Sequence, residues 1–189
     1  MSDFALHLLR HGAPEQPGLL MGRSDGVPSD AGIAACVAQA GDLGIERIVA
    51  SDLRRSRDAG AAIAEVAGLP LTVDARWREL DFGDWDGKAA GEVDPGALGL
   101  FWNDPDGYPP PGGERWSALV TRVAAAIADL APVPTLIVAH GGSMRAALHG
   151  LCGFDQRQLW AFELPYAALL SLRVWPGEQP SAQIAGLYP

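Results

Sequence analysis

Basic residues are scarce in this chain: 14 Lys and Arg stand against 23 Asp and Glu over 189 residues, a formal net charge of −9 at pH 7. That deficit argues against nucleic acid as a partner, because binding a phosphate backbone needs a basic face. Cysteine is scarcer still. Cys36 and Cys152 lie far apart, each among apolar or small residues, which predicts free thiols in a reducing cytoplasmic setting rather than a disulfide or a metal site. No apolar run approaches the roughly 20 residues that span a bilayer. Met1-Ser2-Asp3-Phe4 shows no basic segment leading into an apolar one, so neither a membrane span nor a secretory leader is expected. No internal repeat and no linker divides the sequence. What is present, 48% hydrophobic and 20% charged residues, is the composition of a globular protein, and the length suits one domain over residues 1–189.

An acidic chain can still hold a small phosphate ester if its few arginines converge, so their placement decides the matter. Near the N-terminus an apolar run, Asp3 to Leu9, reads as a buried strand that stops at Arg10-His11-Gly12. A loop rich in Pro and Gly follows, from Ala13 to Pro28, and contains Gly22-Arg23-Ser24-Asp25, a candidate second contribution to a pocket. Ser29 or Asp30 can cap a helix from Ala31 to about Leu43. Glu46 to Ala50 is a second strand, ending at Ser51-Asp52-Leu53-Arg54-Arg55-Ser56-Arg57. An alanine-rich helix then runs to about Val66, closed by Gly68 and Pro70.

A short strand at Leu71 to Val73 leads to Trp77 through Gly87, where aromatics, carboxylates and glycines alternate without a regular period, as in a structured loop. Residues 88–113 read as a cap insertion with one short helix around Pro95 to Trp102. Glu114 to Leu130 returns to helical spacing. Thr135 to Ala139 is a strand meeting His140-Gly141-Gly142-Ser143, and a helix is expected from Met144 to about Leu151. Leu159 to Leu164 and Ala168 to Val174 read as a hairpin of strands, followed by a last strand near Ala182 to Leu187.

Three strands therefore end at charged or imidazole-bearing junctions. In a mostly parallel sheet such ends share one edge, so their groups can converge. Helix N-termini beginning nearby attract phosphate, and Gly141 and Gly142 let the backbone approach an oxyanion. The residue types imply a mechanism. A neutral histidine can attack phosphorus and form a phosphohistidine. Arginines and a second histidine can neutralise the transferring oxygens, and a carboxylic acid can protonate the leaving alkoxide.

These residues also resemble a known family, the histidine phosphatase superfamily, which includes phosphoglycerate mutases and α-ribazole phosphatase. Leu9-Arg10-His11-Gly12 is similar to its nucleophile motif, and Ser51 to Ser56 to its second-strand motif. The segment Glu79 to Gly87 is similar to the one that carries its proton donor, and Ala139-His140-Gly141-Gly142 to its last motif. The resemblance implies His11 as the phosphorylated residue, Glu79 as proton donor, and Arg10, Arg55, His140 and the Gly141 N–H as the phosphate pocket. It further implies a three-layer α/β/α sandwich with a mainly parallel central sheet, no cofactor and no metal, and a small phosphorylated metabolite as the partner.

Where relatives carry polar ligands after the first motif, this chain has Ala13, Pro14 and Pro17, so Arg23 or Ser143 is expected to supply the missing contact. The short cap favours hydrolysis over mutase-type transfer. Phe101 to Pro105, Pro111 to Glu114, and Gly22 to Asp25 resemble the α-ribazole phosphatase branch, which nominates α-ribazole 5′-phosphate as substrate. The rivals are a phosphoglycerate mutase-type phosphotransferase and a catalytically silent phosphate-binding protein. The remaining chemistry-bearing residues read as structural. His7 and His149 are packing residues, Arg54 and Arg57 solvated charges, and Asp81 the rival acid to Glu79. Trp102, Trp116 and Tyr108 read as packing rather than substrate stacking. A metal held by His11, His140 and Glu79 is disfavoured because the adjacent arginines would repel a cation. Oligomeric state is left open.

Overall fold

A computed structural model describes residues 2–189. Strand β1 (Phe4–Arg10) is followed by α1 (Asp30–Ala40), β2 (Arg47–Ala50), α2 (Arg54–Ala67) and β3 (Leu71–Val73). After 3₁₀ turns at Ala75–Trp77, Gly83–Trp85 and Ala90–Glu92 come α3 (Pro95–Asn103), α4 (Trp116–Ala128), β4 (Thr135–Ala139), α5 (Gly141–Cys152), α6 (Gln156–Leu159), β5 (Leu169–Trp175) and β6 (Ser181–Tyr188). The six strands form one sheet in the order β3-β2-β4-β1-β5-β6. The first four are mutually parallel, while β5 pairs antiparallel with β1 and β6 with β5.

Alternation along the strands makes the three layers. In β4, Leu136 and Val138 face the side covered by α1 and α2, where they meet Cys36, Ala40 and Ile63. Ile137 and Ala139 face the opposite side, covered by α4 and α5 through Leu119, Val123, Met144 and Leu148. All five β4 residues are buried, as a continuous apolar run in a doubly covered parallel strand should be.

Several boundaries differ from the sequence reading. Helix α1 stops at Ala40, where Gly41 caps it, rather than near Leu43; its N-cap is Ser29, whose hydroxyl accepts from Gly32 N–H at 3.0 Å. Helix α5 starts at Gly141, three residues before Met144. Leu159 to Leu164 is not a strand. Asp155 accepts from Gln158 N–H and winds Gln156–Leu159 into a short helix; the strand beside β1 is β5, and its hairpin partner is β6. Cys36 is buried and Cys152 half-buried, both free. Burial pushes the Cys36 thiol up to about 12. His7 packs inside with Nδ1 2.9 Å from Ser171 Oγ. Among the described residues no helix is long and apolar enough to cross a membrane.

Candidate active site

Sheet order and register bring the three junctions together. β4 lies between β1 and β2; Arg10 pairs with Ala139 and Ala50 with Val138. The residues that follow, His11, His140 and Ser51, therefore emerge side by side. The His11 and His140 rings lie 5.0 Å apart, edge to face, and His140 Nε2 is 2.9 Å from Ser51 Oγ.

A cavity of about 270 Å³ opens there. Its inner end is lined by Arg10, His11, Arg55, Glu79 and Gly141. His11 Nδ1 lies 2.8 Å from the Gly12 carbonyl. That carbonyl can only accept, so Nδ1 carries the proton and Nε2 keeps its lone pair. Burial, then the charges of Arg55 and Arg10, push the His11 pKa down to about 3 against the raising effect of the Gly12 hydrogen bond. His140 is lowered well below its ordinary value, again by burial first and by Arg55 next. Both rings are therefore neutral at pH 7.

Arg55 donates to the carbonyls of Ser24 (2.6 Å), Met21 (2.8 Å) and Gly22 (3.1 Å). Arg10 donates to Leu164 O at 2.5 Å, and its guanidinium stacks 4.3 Å above the Tyr166 ring. Three buried nitrogens here have no hydrogen-bond partner: Arg10 Nε, Arg55 Nε and His140 Nδ1. Buried polar atoms are nearly always paired; Arg10 and Arg55 line the cavity and the His140 ring packs against His11, so these unpaired donors suit an acceptor-rich ligand. Gly141, the first residue of α5, adds a helix N-terminus beside them.

Glu79 is fixed against that terminus. Its Oε2 accepts from Gly142 N–H at 3.0 Å and its Oε1 from Leu80 N–H at 2.8 Å. A Cβ at position 142 would fall 2.0 Å from Glu79 Oε1, so any side chain there would push the carboxylate out of this position. Behind it, Arg122 donates to the carbonyls of Arg76 (2.7 Å), Arg78 (2.8 Å) and Glu79 (2.8 Å), while Glu114 accepts from its Nε and Nη2. Gly12 has a similar spatial requirement: a Cβ there would meet Gly32 O at 2.0 Å, and one at Gly32 would meet Ala13 O at 2.3 Å. The motif loop and α1 touch backbone to backbone.

Other sequence candidates lie elsewhere. Arg23 pairs with Asp81 at 3.2 Å and does not line the cavity. Asp81 is thereby occupied and also accepts from Gly83 N–H. Ser143 is buried under its own helix, where its hydroxyl accepts from His140 N–H at 3.2 Å and donates to His140 O at 3.1 Å. The Gly22-to-Asp25 stretch is a clasp rather than a wall. Asp86 holds Gly22 and Ser24 N–H groups, and Asp25 accepts from Arg54 N–H at the start of α2. Arg54 and Arg57 pair with Asp58 on the surface. Pro14 lines the cavity and Pro17 does not; Trp102 and Trp116 line it and Tyr108 does not.

Three contributors escaped the sequence reading. Arg145 reaches the cavity from α5, donating to Leu159 O (3.1 Å) and Gly141 O (3.3 Å), with its guanidinium 4.1 Å over the Trp160 ring. Burial pushes its pKa down to about 10. Its i, i+4 relation to Gly141 was legible only with the helix start placed correctly. Trp160 sits in the segment read as a strand and Tyr166 in the turn of the expected hairpin, and neither gave a local signal. Among the described residues no cluster of three or more His, Cys, Asp or Glu side chains could hold a metal ion.

The family model of the histidine phosphatase superfamily (branch 1) matches residues 6–184. A glucosyl-3-phosphoglycerate phosphatase of Mycolicibacterium vanbaalenii is 34% identical over 166 residues, covering 78% of this chain and 74% of that protein. The structure of mycobacterial glucosyl-3-phosphoglycerate phosphatase in complex with VO3 superposes with a TM-score of 0.84 at 29% identity, over 96% of this chain and 97% of that one. The α-ribazole phosphatase from Shigella flexneri shares the fold, with a TM-score of 0.81 over 98% of this chain and 96% of that one, at 22% identity. The chain belongs to the histidine phosphatase superfamily.

Proposed function

For this member of the histidine phosphatase superfamily, we propose the hydrolysis of a small phosphate monoester through a phosphohistidine on His11, without a metal ion. The observation that carries the reading is the set of unpartnered buried nitrogens, Arg10 Nε, Arg55 Nε and His140 Nδ1, together with a neutral His11. In the first half-reaction Nε2 of His11 attacks phosphorus and the bond to the ester oxygen breaks. Glu79 gives that oxygen its proton, so the alcohol leaves neutral. The Nδ1–H to Gly12 O bond holds the ring in the right tautomer and steadies the positive charge it gains.

Arg10, Arg55, His140 and the Gly141 N–H stabilise the equatorial oxygens. Water then attacks phosphorus, Glu79 takes its proton, the P–N bond breaks, and phosphate departs from a neutral His11. The two guanidiniums occupy the ground a cation would need, which supports metal independence. α-Ribazole 5′-phosphate is the first ester to assay. Glucosyl-3-phosphoglycerate, named for the mycobacterial relatives, is the second.

The test is phosphate release over a panel of monoesters with chelator present, for wild type and His11→Ala. Turnover by wild type, a trapped acid-labile phosphoenzyme, and none of either from His11→Ala are expected. Wild type inert on every ester, or His11→Ala fully active, overturns the reading. Adding phosphoglycerate as acceptor separates hydrolysis from mutase-type transfer.

A further inference from the structure

We infer that the cavity selects phosphomonoesters whose alcohol carries a flat apolar group, an aromatic ring above all, over those whose alcohol offers only hydroxyls or carboxylates, as in glycerate or simple sugar esters. This rests on the phosphatase reading above and adds to it the class of substrate. Beyond the inner, charged end, the walls are apolar. Leu19, Leu20 and Met21 line the cavity together with Phe101, Trp102 and Trp160.

The aromatics form a continuous edge-to-face series from core to opening. Trp85 meets Phe101 at 5.7 Å, Phe101 meets Trp102 at 4.8 Å, and Trp102 meets Trp160 at 4.9 Å. Such packing fixes each ring plane. Yet the two outermost rings are left wet, Trp102 40% and Trp160 45% exposed. Large apolar surface left open at the mouth of a cavity is what an apolar ligand covers.

The polar inventory points the same way. Outside the inner end the polar side-chain atoms are those of Arg145, Gln156 and Tyr166 and the single indole N–H of each of Trp102, Trp116 and Trp160, which donate but cannot accept. Arg145 spends Nε and Nη1 on two backbone carbonyls and its face on Trp160. Gln156 donates to Trp102 O at 3.5 Å, and Tyr166 lies with its ring under Arg10 and 5.5 Å from His11. The hydroxyls of a sugar or glycerate would leave water and find few partners in exchange, a loss that discriminates more strongly than a missing apolar contact.

Benzyl phosphate against glycerol 1-phosphate tests this, since both are esters of primary alcohols. We expect kcat/KM about thirtyfold higher for benzyl phosphate, carried mainly by KM. In Trp102→Ser and Trp160→Ser that ratio falls toward one; in Trp102→Phe and Trp160→Phe most of it remains, with cooperative thermal unfolding in all four. Equal turnover of the two esters, a preference for glycerol 1-phosphate, or a ratio untouched by the serine variants overturns the inference and leaves the His11 mechanism standing. If neither ester is hydrolysed while His11→Ala behaves as wild type, the mechanism falls and the inference with it.

Discussion

The two ends of the cavity are built in different ways. At the inner end the functional groups sit one residue past adjacent strands, and the register of β1, β4 and β2 alone determines that His11, His140 and Ser51 meet. At the outer end the walls come from pieces with no shared scaffold: the loop at 19–21, helix α3, the N-terminus of α4 and the stretch from α6 to Tyr166. The first arrangement is rigid because moving one group would mean slipping a buried sheet. The second can be rebuilt segment by segment without disturbing the first. On the function proposed above, reaction and choice of substrate belong to separable parts of one chain, joined at few points.

Arg55 is one such joint, since it holds the Met21 and Gly22 carbonyls while its Nε remains free at the inner end. Mutations that respect or violate the division should sort by size. His11→Ala removes the proposed nucleophile and should lower kcat on the order of 10⁴-fold or more on every ester, read by phosphate release. Arg55→Met should cost roughly 10³-fold in kcat/KM and, unlike other inner-end changes, also alter the ranking of substrates, because the loop at 21–24 loses its clasp. An unchanged ranking would break the comparison at its joint.

Glu79→Gln should cost about 10²–10³-fold on alkyl esters and far less on a nitrophenyl ester, whose leaving group needs no proton. The histidines provide a pH test. Their pKa values are lowered, so His11 takes up a second ring proton only near pH 3 and ring NMR should report both rings uncharged from pH 5 to 8. The unfolded chain binds those protons near pH 6.5. Acidification below that value therefore favours unfolding, and chemical denaturation at pH 7 and pH 5 should show the loss. The smallest effect belongs outside both ends: Arg23→Ala should change kcat/KM by no more than about twofold, since its exposed pair with Asp81 is worth little.

The sequence yields the inner end well because strand periodicity, Gly-marked junctions and family motifs coincide at the same residues. Ser143 misled because a hydroxyl next to a glycine pair looks like a ligand, whereas the helix began early enough to turn it inward as a cap on His140. Arg23 misled for a different reason: its partner, Asp81, is far along the chain, and nothing local announces the pair. Trp102, Trp116 and Trp160 were illegible as a wall because aromatic residues serve cores and cavities alike, and only the packing of α3 against the 156–160 turn decides which. Arg122, which holds the backbone of Glu79 from a helix more than forty residues later, carries no spacing signal at all.

The facing pair Gly12 and Gly32 ties the history of the site to a helix that contains none of its chemistry. A side chain at either position would strike a backbone oxygen, not another side chain, so no change at one position can make room for a change at the other. Substitutions can rewrite the mouth segment by segment, but α1 must keep a glycine whose only service is to leave the loop after His11 where it is.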